Sequence, residues 1–169
     1  MSEAPHACHL VCGPAASGKT RHATLLAERL GAVLLDSDQV AERLVMAGLE
    51  LAGLDPDDRD SPIYKSAYRE PVYDTLFDLA AAHVGRLPVV IAGPFTAEAG
   101  NPAWPHELER RLGVKPVLHW VSCPPEVRRR RLEQRGEERD RPKLRDWKKY
   151  LSTCREEPPV WDHLGVTGG

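Results

Sequence analysis

Residues 13–20 read GPAASGKT and follow the apolar run Ala7-Cys8-His9-Leu10-Val11-Cys12. A strand that feeds a glycine-bearing turn, which in turn opens a helix, points several backbone N–H groups into one concavity beside the positive end of the helix. An anion fits there. Gly13 and Gly18 permit backbone geometry that a side chain would obstruct, and the amides of Ala15, Ala16, Ser17 and Gly18 line the turn. Lys19 can reach the outer phosphates of a nucleotide, and the Thr20 hydroxyl can ligate magnesium. The spacing is that of a Walker A loop, and its context agrees. Apolar strand residues precede it, and a helical pattern with Leu26 and Leu30 on one face follows.

Outward from this loop, short apolar runs at Ala7–Cys12, Ala32–Leu35, Pro88–Ala92 and Val114–Val121 alternate with helical patterns. The predicted helices cover 19–30, 39–52, 63–84, 104–112, 124–135 and 143–154, and a last strand is expected near Leu164–Thr167. Such alternation predicts an α/β fold of three layers, with crossover helices on both faces of a parallel sheet. A chain of 169 residues suits one domain over 1–169. Residues 53–62, rich in Pro, Asp and Gly, read as a polar surface loop between two helices.

Composition narrows the classes of function. A net charge of −2 gives no electrostatic reason to expect binding to nucleic acid or to a membrane surface. Of the 23 basic residues, 17 are arginine, whose planar forks suit phosphate oxygens. Cys8, Cys12, Cys123 and Cys154 form no metal-binding pair and read as reduced thiols. The histidines are scattered and read as packing or surface residues. No run approaches the ~20 apolar residues of a membrane span, and the N-terminus lacks a signal pattern, so a cytoplasmic location is expected.

Ligands of open parallel sheets bind beyond the carboxyl ends of the strands, so the strand exits are where chemistry is sought. The second exit carries Asp36-Ser37-Asp38, whose two carboxylates face the same way if the segment is extended. A phosphoryl acceptor needs a group to orient or deprotonate its hydroxyl, and magnesium needs oxygen ligands. Asp38 is assigned the first role and Asp36 the second. The competing reading makes Asp38 merely the N-cap of the next helix. Further on, Arg128, Arg131 and Arg135 fall on one helical face, able to line a cleft.

Gly13 to Thr20 together with Asp36 to Gln39 resembles the small P-loop kinases, among them shikimate and gluconate kinases, chloramphenicol phosphotransferase, the zeta-toxin group and the kinase domains of polynucleotide kinases. The resemblance follows the order of elements over nearly the whole chain. It implies ATP and Mg2+ as cofactors, a sheet of order 2-3-1-4-5 and an arginine-bearing lid near residues 135–143. It further implies that Arg131 stacks on adenine, and that Arg135 with Arg139 or Arg141 neutralises the transferring phosphate. Gly93 would lie against the acceptor, while Arg43 and Arg69 are candidates to grip it. Tyr68 and Tyr73 read either as acceptor contacts or as core packing. One departure stands out: the third strand exits through Ala92 and Gly93, with no Walker B carboxylate, which leaves Asp36 as the magnesium partner.

The expected function is therefore transfer of the γ-phosphoryl group of ATP to a small-molecule hydroxyl. A 5′-hydroxyl polynucleotide kinase is the first alternative, disfavoured by Glu50, Asp55, Asp57, Asp58 and Asp60 on the expected rim. A nucleotide-binding ATPase or switch without an acceptor is the second.

Overall fold

The computed structural model describes residues 7–168. Along the chain run β1 (Cys8–Cys12), α1 (Lys19–Leu30), β2 (Val33–Asp36), α2 (Ser37–Leu51), α3 (Pro62–Ala67) and α4 (Arg69–His83). Then come β3 (Val89–Ala92), α5 (Trp104–Leu112), β4 (Val117–Ser122), α6 (Pro125–Arg135), α7 (Arg141–Arg145), α8 (Trp147–Thr153) and β5 (Leu164–Thr167). Short 3-10 turns occupy Glu98–Gly100 and Glu138–Asp140.

The strands form one sheet of order β2-β3-β1-β4-β5, and every neighbouring pair is parallel. This is the expected three-layer α/β architecture. Alternate residues of each strand face opposite layers. Cys8, Leu10, Val89, Ile91, Leu118 and Trp120 pack against α4 and α5 through Leu76, Phe77, Leu108 and Leu112. Val11, Val90, Ala92 and Val121 meet Ala23, Leu26 and Ala27 of α1 on the other side. Burial of each large apolar side chain contributes about 1.5–3 kcal/mol. Because β1 is central, its exit loop sits in the middle of the carboxyl edge, flanked by the exits of β3 and β4.

Several predicted boundaries shift for local reasons. The helix expected over 63–84 is two helices that break at Tyr68. Pro71 explains the break, since its ring cannot donate to the carbonyl of Ala67 and clashes with it. The helix expected over 143–154 is likewise split: Asp146 leaves helical geometry and its side chain caps α8, accepting from the Lys149 amide at 3.1 Å. β4 starts at Val117 and not at Val114, directly after Pro116. α2 starts at Ser37 and not at 39, because Asp36 is its N-cap.

The cysteines of the described residues are free thiols, and Cys8 and Cys12 are buried. Three of the histidines are not scattered in space. His9 of β1, His119 of β4 and His22 of α1 form a row, with ring nitrogens 3.0 Å apart for His9 and His119 and 3.2 Å apart for His119 and His22. Burial, with His9 and His22 alongside, pushes the His119 imidazolium down to about 4.

Candidate active site

The exit of β1 turns through residues that few side chains tolerate. Gly13 has φ 147°, Ala16 58° and Gly18 103°. A Cβ on Gly13 would overlap the carbonyl oxygen of Val121 in β4, so the first glycine is required by close packing of the loop on the sheet. Gly18 is the N-cap of α1 and no side chain caps that end, which leaves the first amides of the helix for an anion. Ser17 is fully buried. Lys19 lies across the loop and donates to the Pro14 carbonyl at 2.8 Å. Burial pushes its ammonium down to about 8, against the opposing pull of Asp38 and Asp36.

At the exit of β2 the two carboxylates separate their tasks. Asp36 is 6% exposed, and its Oδ1 accepts from the Asp38 amide at 2.9 Å. The Thr20 hydroxyl donates to Asp36 Oδ2 at 3.2 Å. These two oxygens stand together beside the phosphate loop, a donor set suited to a hard cation that keeps most of its other ligands from phosphate and water. Asp38 is therefore not the helix cap. Its carboxylate is released into the cleft, and its side chain is 59% exposed.

The predicted lid arginines divide. Arg131 spans the phosphate loop and the far end of the sheet, donating to the Ala16 carbonyl at 3.2 Å and the Gly168 carbonyl at 3.3 Å. Arg135 clasps the buried Asp140 at 2.9 and 2.5 Å. Arg139 reaches across the cleft to Asp38 Oδ2 at 3.0 Å and to Glu42 at 3.4 Å. Arg141 is a different case: 68% exposed and paired with Glu138, it is not among the cleft residues. The extended stretch before it turns at Glu138–Asp140 so as to bury Asp140, which aims Arg141 outward.

The residues that hold this lid were either misread from the sequence, as Arg128 was in being grouped with the cleft-lining arginines, or missed. Arg128 is fully buried, pairs with Glu156, stacks over Trp147 and donates to the Ala15 carbonyl at 3.4 Å. It supports the phosphate loop from below. Lys143 ties the lid to the acceptor side through Asp60 at 2.9 Å. Gly168 was also missed: its amide donates to the Ser122 carbonyl at 2.8 Å, and a Cβ there would overlap the carbonyl oxygen of Ser17. Only the spacing of Arg128 from Arg131 hinted at any of this.

A cleft of about 690 Å³ joins these parts. Gly93 lines it, and a Cβ there would come within 2.6 Å of the Phe95 ring, so this glycine is also demanded by the packing beneath it. Arg69 lines the cleft as expected, but its Nη2 donates to both oxygens of Glu98 at 2.9 Å, and its guanidinium lies over Tyr73. Tyr73 packs on Phe95, while Tyr68 fills the space left by Gly48 under α2 and is not a cleft residue. Arg43 is exposed on α2 and is likewise outside the cleft, against expectation. It stands two residues from the buried Ala41 and Val45, on the opposite face of the helix. Among the described residues no helix is long and apolar enough to cross a membrane.

Comparison with known proteins agrees with this geometry. A profile of the AAA domain (AAA_33) matches residues 8–158. Among solved structures, a Chloroflexus aurantiacus protein provisionally assigned as a kinase superposes with a TM-score of 0.68 at 18% identity, covering 96% of this chain and 86% of that one. A gluconokinase from Sinorhizobium meliloti 1021 does so with 0.59 at 18%, covering 98% and 82%. The APS kinase of Mycobacterium tuberculosis, in complex with AMPPNP and APS, gives 0.60 at 18%, covering 95% and 89%. At such identities the likeness is one of fold. No curated protein matches the sequence significantly. A Walker A turn at the centre of a 2-3-1-4-5 sheet and a profile match over most of the chain place this protein in the AAA domain family (AAA_33), with the fold of the small P-loop kinases.

Proposed function

We propose that this protein is an ATP-dependent kinase acting on a hydroxyl of a small molecule. The observation that carries the reading is the position of Asp38. Asp36 takes over the capping of α2, so the Asp38 carboxylate is left facing the same cleft as Lys19, with a lid arginine on it. A pure nucleotide-binding switch has no need of that carboxylate.

In this scheme Lys19 and the loop amides bind the phosphates, and Arg131 bounds the place for adenine. Thr20 and Asp36 would hold magnesium, which when bound neutralises phosphate charge. The acceptor oxygen forms a bond to the γ-phosphorus while the bond to the β–γ bridging oxygen breaks, its electron pair leaving with ADP. Asp38 orients the acceptor hydroxyl and takes its proton. Arg139, released from Asp38 when phosphates arrive, and Arg135 stabilise the charge on the transferring group. The acidic rim, where Asp57, Glu42, Glu137 and Glu138 gather near Asp38, argues against an oligonucleotide acceptor.

The test is ADP release with a panel of hydroxyl compounds. Asp38→Asn is expected to lower acceptor-stimulated turnover by ~10²–10⁴-fold while nucleotide affinity changes only a few-fold. Acceptor-independent hydrolysis that is indifferent to Asp38 would refute the kinase reading.

A further inference from the structure

The charges on the acceptor side of the cleft are already matched. Arg69, the obvious grip for an anion, donates to both carboxylate oxygens of Glu98, which is itself only 21% exposed. Arg59, 10% exposed, pairs with Glu42 at 3.0 Å and also donates to the carbonyls of Pro56 and Asp58. Lys143, 11% exposed, is held by Asp60 at 2.9 Å. Lys65 makes no ion pair among the described residues, but it stands exposed at the mouth, where water and salt screen it. Among these pairs the wall carries an apolar set, Val45, Val72, Ala97 and the ring of Tyr64, with Ser37 and Thr96 as uncharged polar members.

A carboxylate or phosphate brought to Arg69 would lie beside the Glu98 carboxylate, a like charge already seated with both oxygens on Nη2. That arrangement either weakens the existing pair or adds like-charge repulsion. An uncharged acceptor meets neither cost. It can lay an apolar face on Val45 and Val72 and leave the Arg69–Glu98 pair intact.

We propose that the acceptor is an uncharged alcohol with an apolar face, and that Glu98, by occupying Arg69, is the residue that rejects hydroxy acids. This rests on the kinase reading of the site.

The experiment compares hydroxy acids with their own methyl esters, shikimate and methyl shikimate among them, as acceptors for ADP release at low salt. The ester of each pair is expected to show kcat/KM at least ~10-fold above the acid, and Glu98→Gln to raise the acid-to-ester ratio by ~10-fold or more, because it frees the arginine. The same pairs are scored for binding by ligand-observed NMR with AMPPNP present. Ester-selective binding without any ADP release would sustain the selectivity and refute the kinase reading instead. Preference for the acids, absence of any charge preference in turnover and binding, or a ratio unmoved in Glu98→Gln would overturn the inference.

Discussion

Lys19 offers a direct measurement of how the phosphate loop works before any acceptor is known. In the free protein its ammonium titrates near pH 8, because burial disfavours the charged form more than Asp38 and Asp36 restore it. A nucleotide placed on the loop brings negative phosphate to that nitrogen and holds it protonated. The sign follows: the free state binds fewer protons than the complex, so nucleotide binding takes up protons and affinity falls as pH rises through 8. Two-state titration at that value gives an uptake of about 0.1 proton at pH 7, 0.5 at pH 8 and 0.9 at pH 9, and a Kd for ADP about 10-fold weaker at pH 9 than at pH 7. That factor corresponds to ~1.4 kcal/mol. Calorimetry of magnesium–ADP binding in pairs of buffers with different ionisation enthalpies reads the uptake directly, with the nucleotide's phosphates ionised throughout. Lys19→Arg serves as the control, since a guanidinium stays charged over this range. An uptake that stays below ~0.1 between pH 7 and 9, or one that persists in Lys19→Arg, would refute the assignment of this lysine to the phosphates.

Two further perturbations probe the frame around the site. His119, with its folded value pushed to about 4 from an ordinary 6.5, is a base held neutral by burial, so its contribution is complete above pH 6.5 and is lost as pH falls toward 4. Stability to urea should drop by about 2–3 kcal/mol across that window, and His119→Gln should flatten the slope; an unchanged slope in the variant would discount the histidine row. Gly168→Ala forces a methyl onto the Ser17 carbonyl, whereas nothing lies within 4 Å of a Cβ on Gly165, within the adjoining β5. Nucleotide affinity is expected to fall ~10-fold or more in Gly168→Ala and to stay within twofold in Gly165→Ala, as isothermal calorimetry would show; equal effects would mean that the loop yields freely.

How much of the site was legible depended on whether its chemistry is local. The Walker A turn could be read residue by residue, because its glycines, lysine and threonine act through the backbone of one continuous stretch. Thr20 and Asp36, expected to share a cation, lie side by side because each stands at the end of an element on the same edge of the sheet. Arg43 and Arg141 were misplaced because a one-residue turn of a helix or a short 3-10 segment decides which way a long side chain points, and composition does not carry that angle. Arg128 was counted with the cleft arginines but is a buried support stacked over Trp147, its partner Glu156 coming from beyond α8.

By itself the sequence determined the alternation of strand and helix and the anion-binding turn, since these follow from hydrophobic period and from glycine at positions that exclude side chains, while the strand order was implied only by the resemblance to small P-loop kinases. Tertiary structure alone decided which carboxylate caps α2 and which stays free, which lid arginine meets Asp38, and that Glu98 occupies Arg69. Those choices are matters of a few ångströms between residues far apart in the chain. Charge pairing depends on distance and burial, and neither is defined until the sheet and its helices have packed.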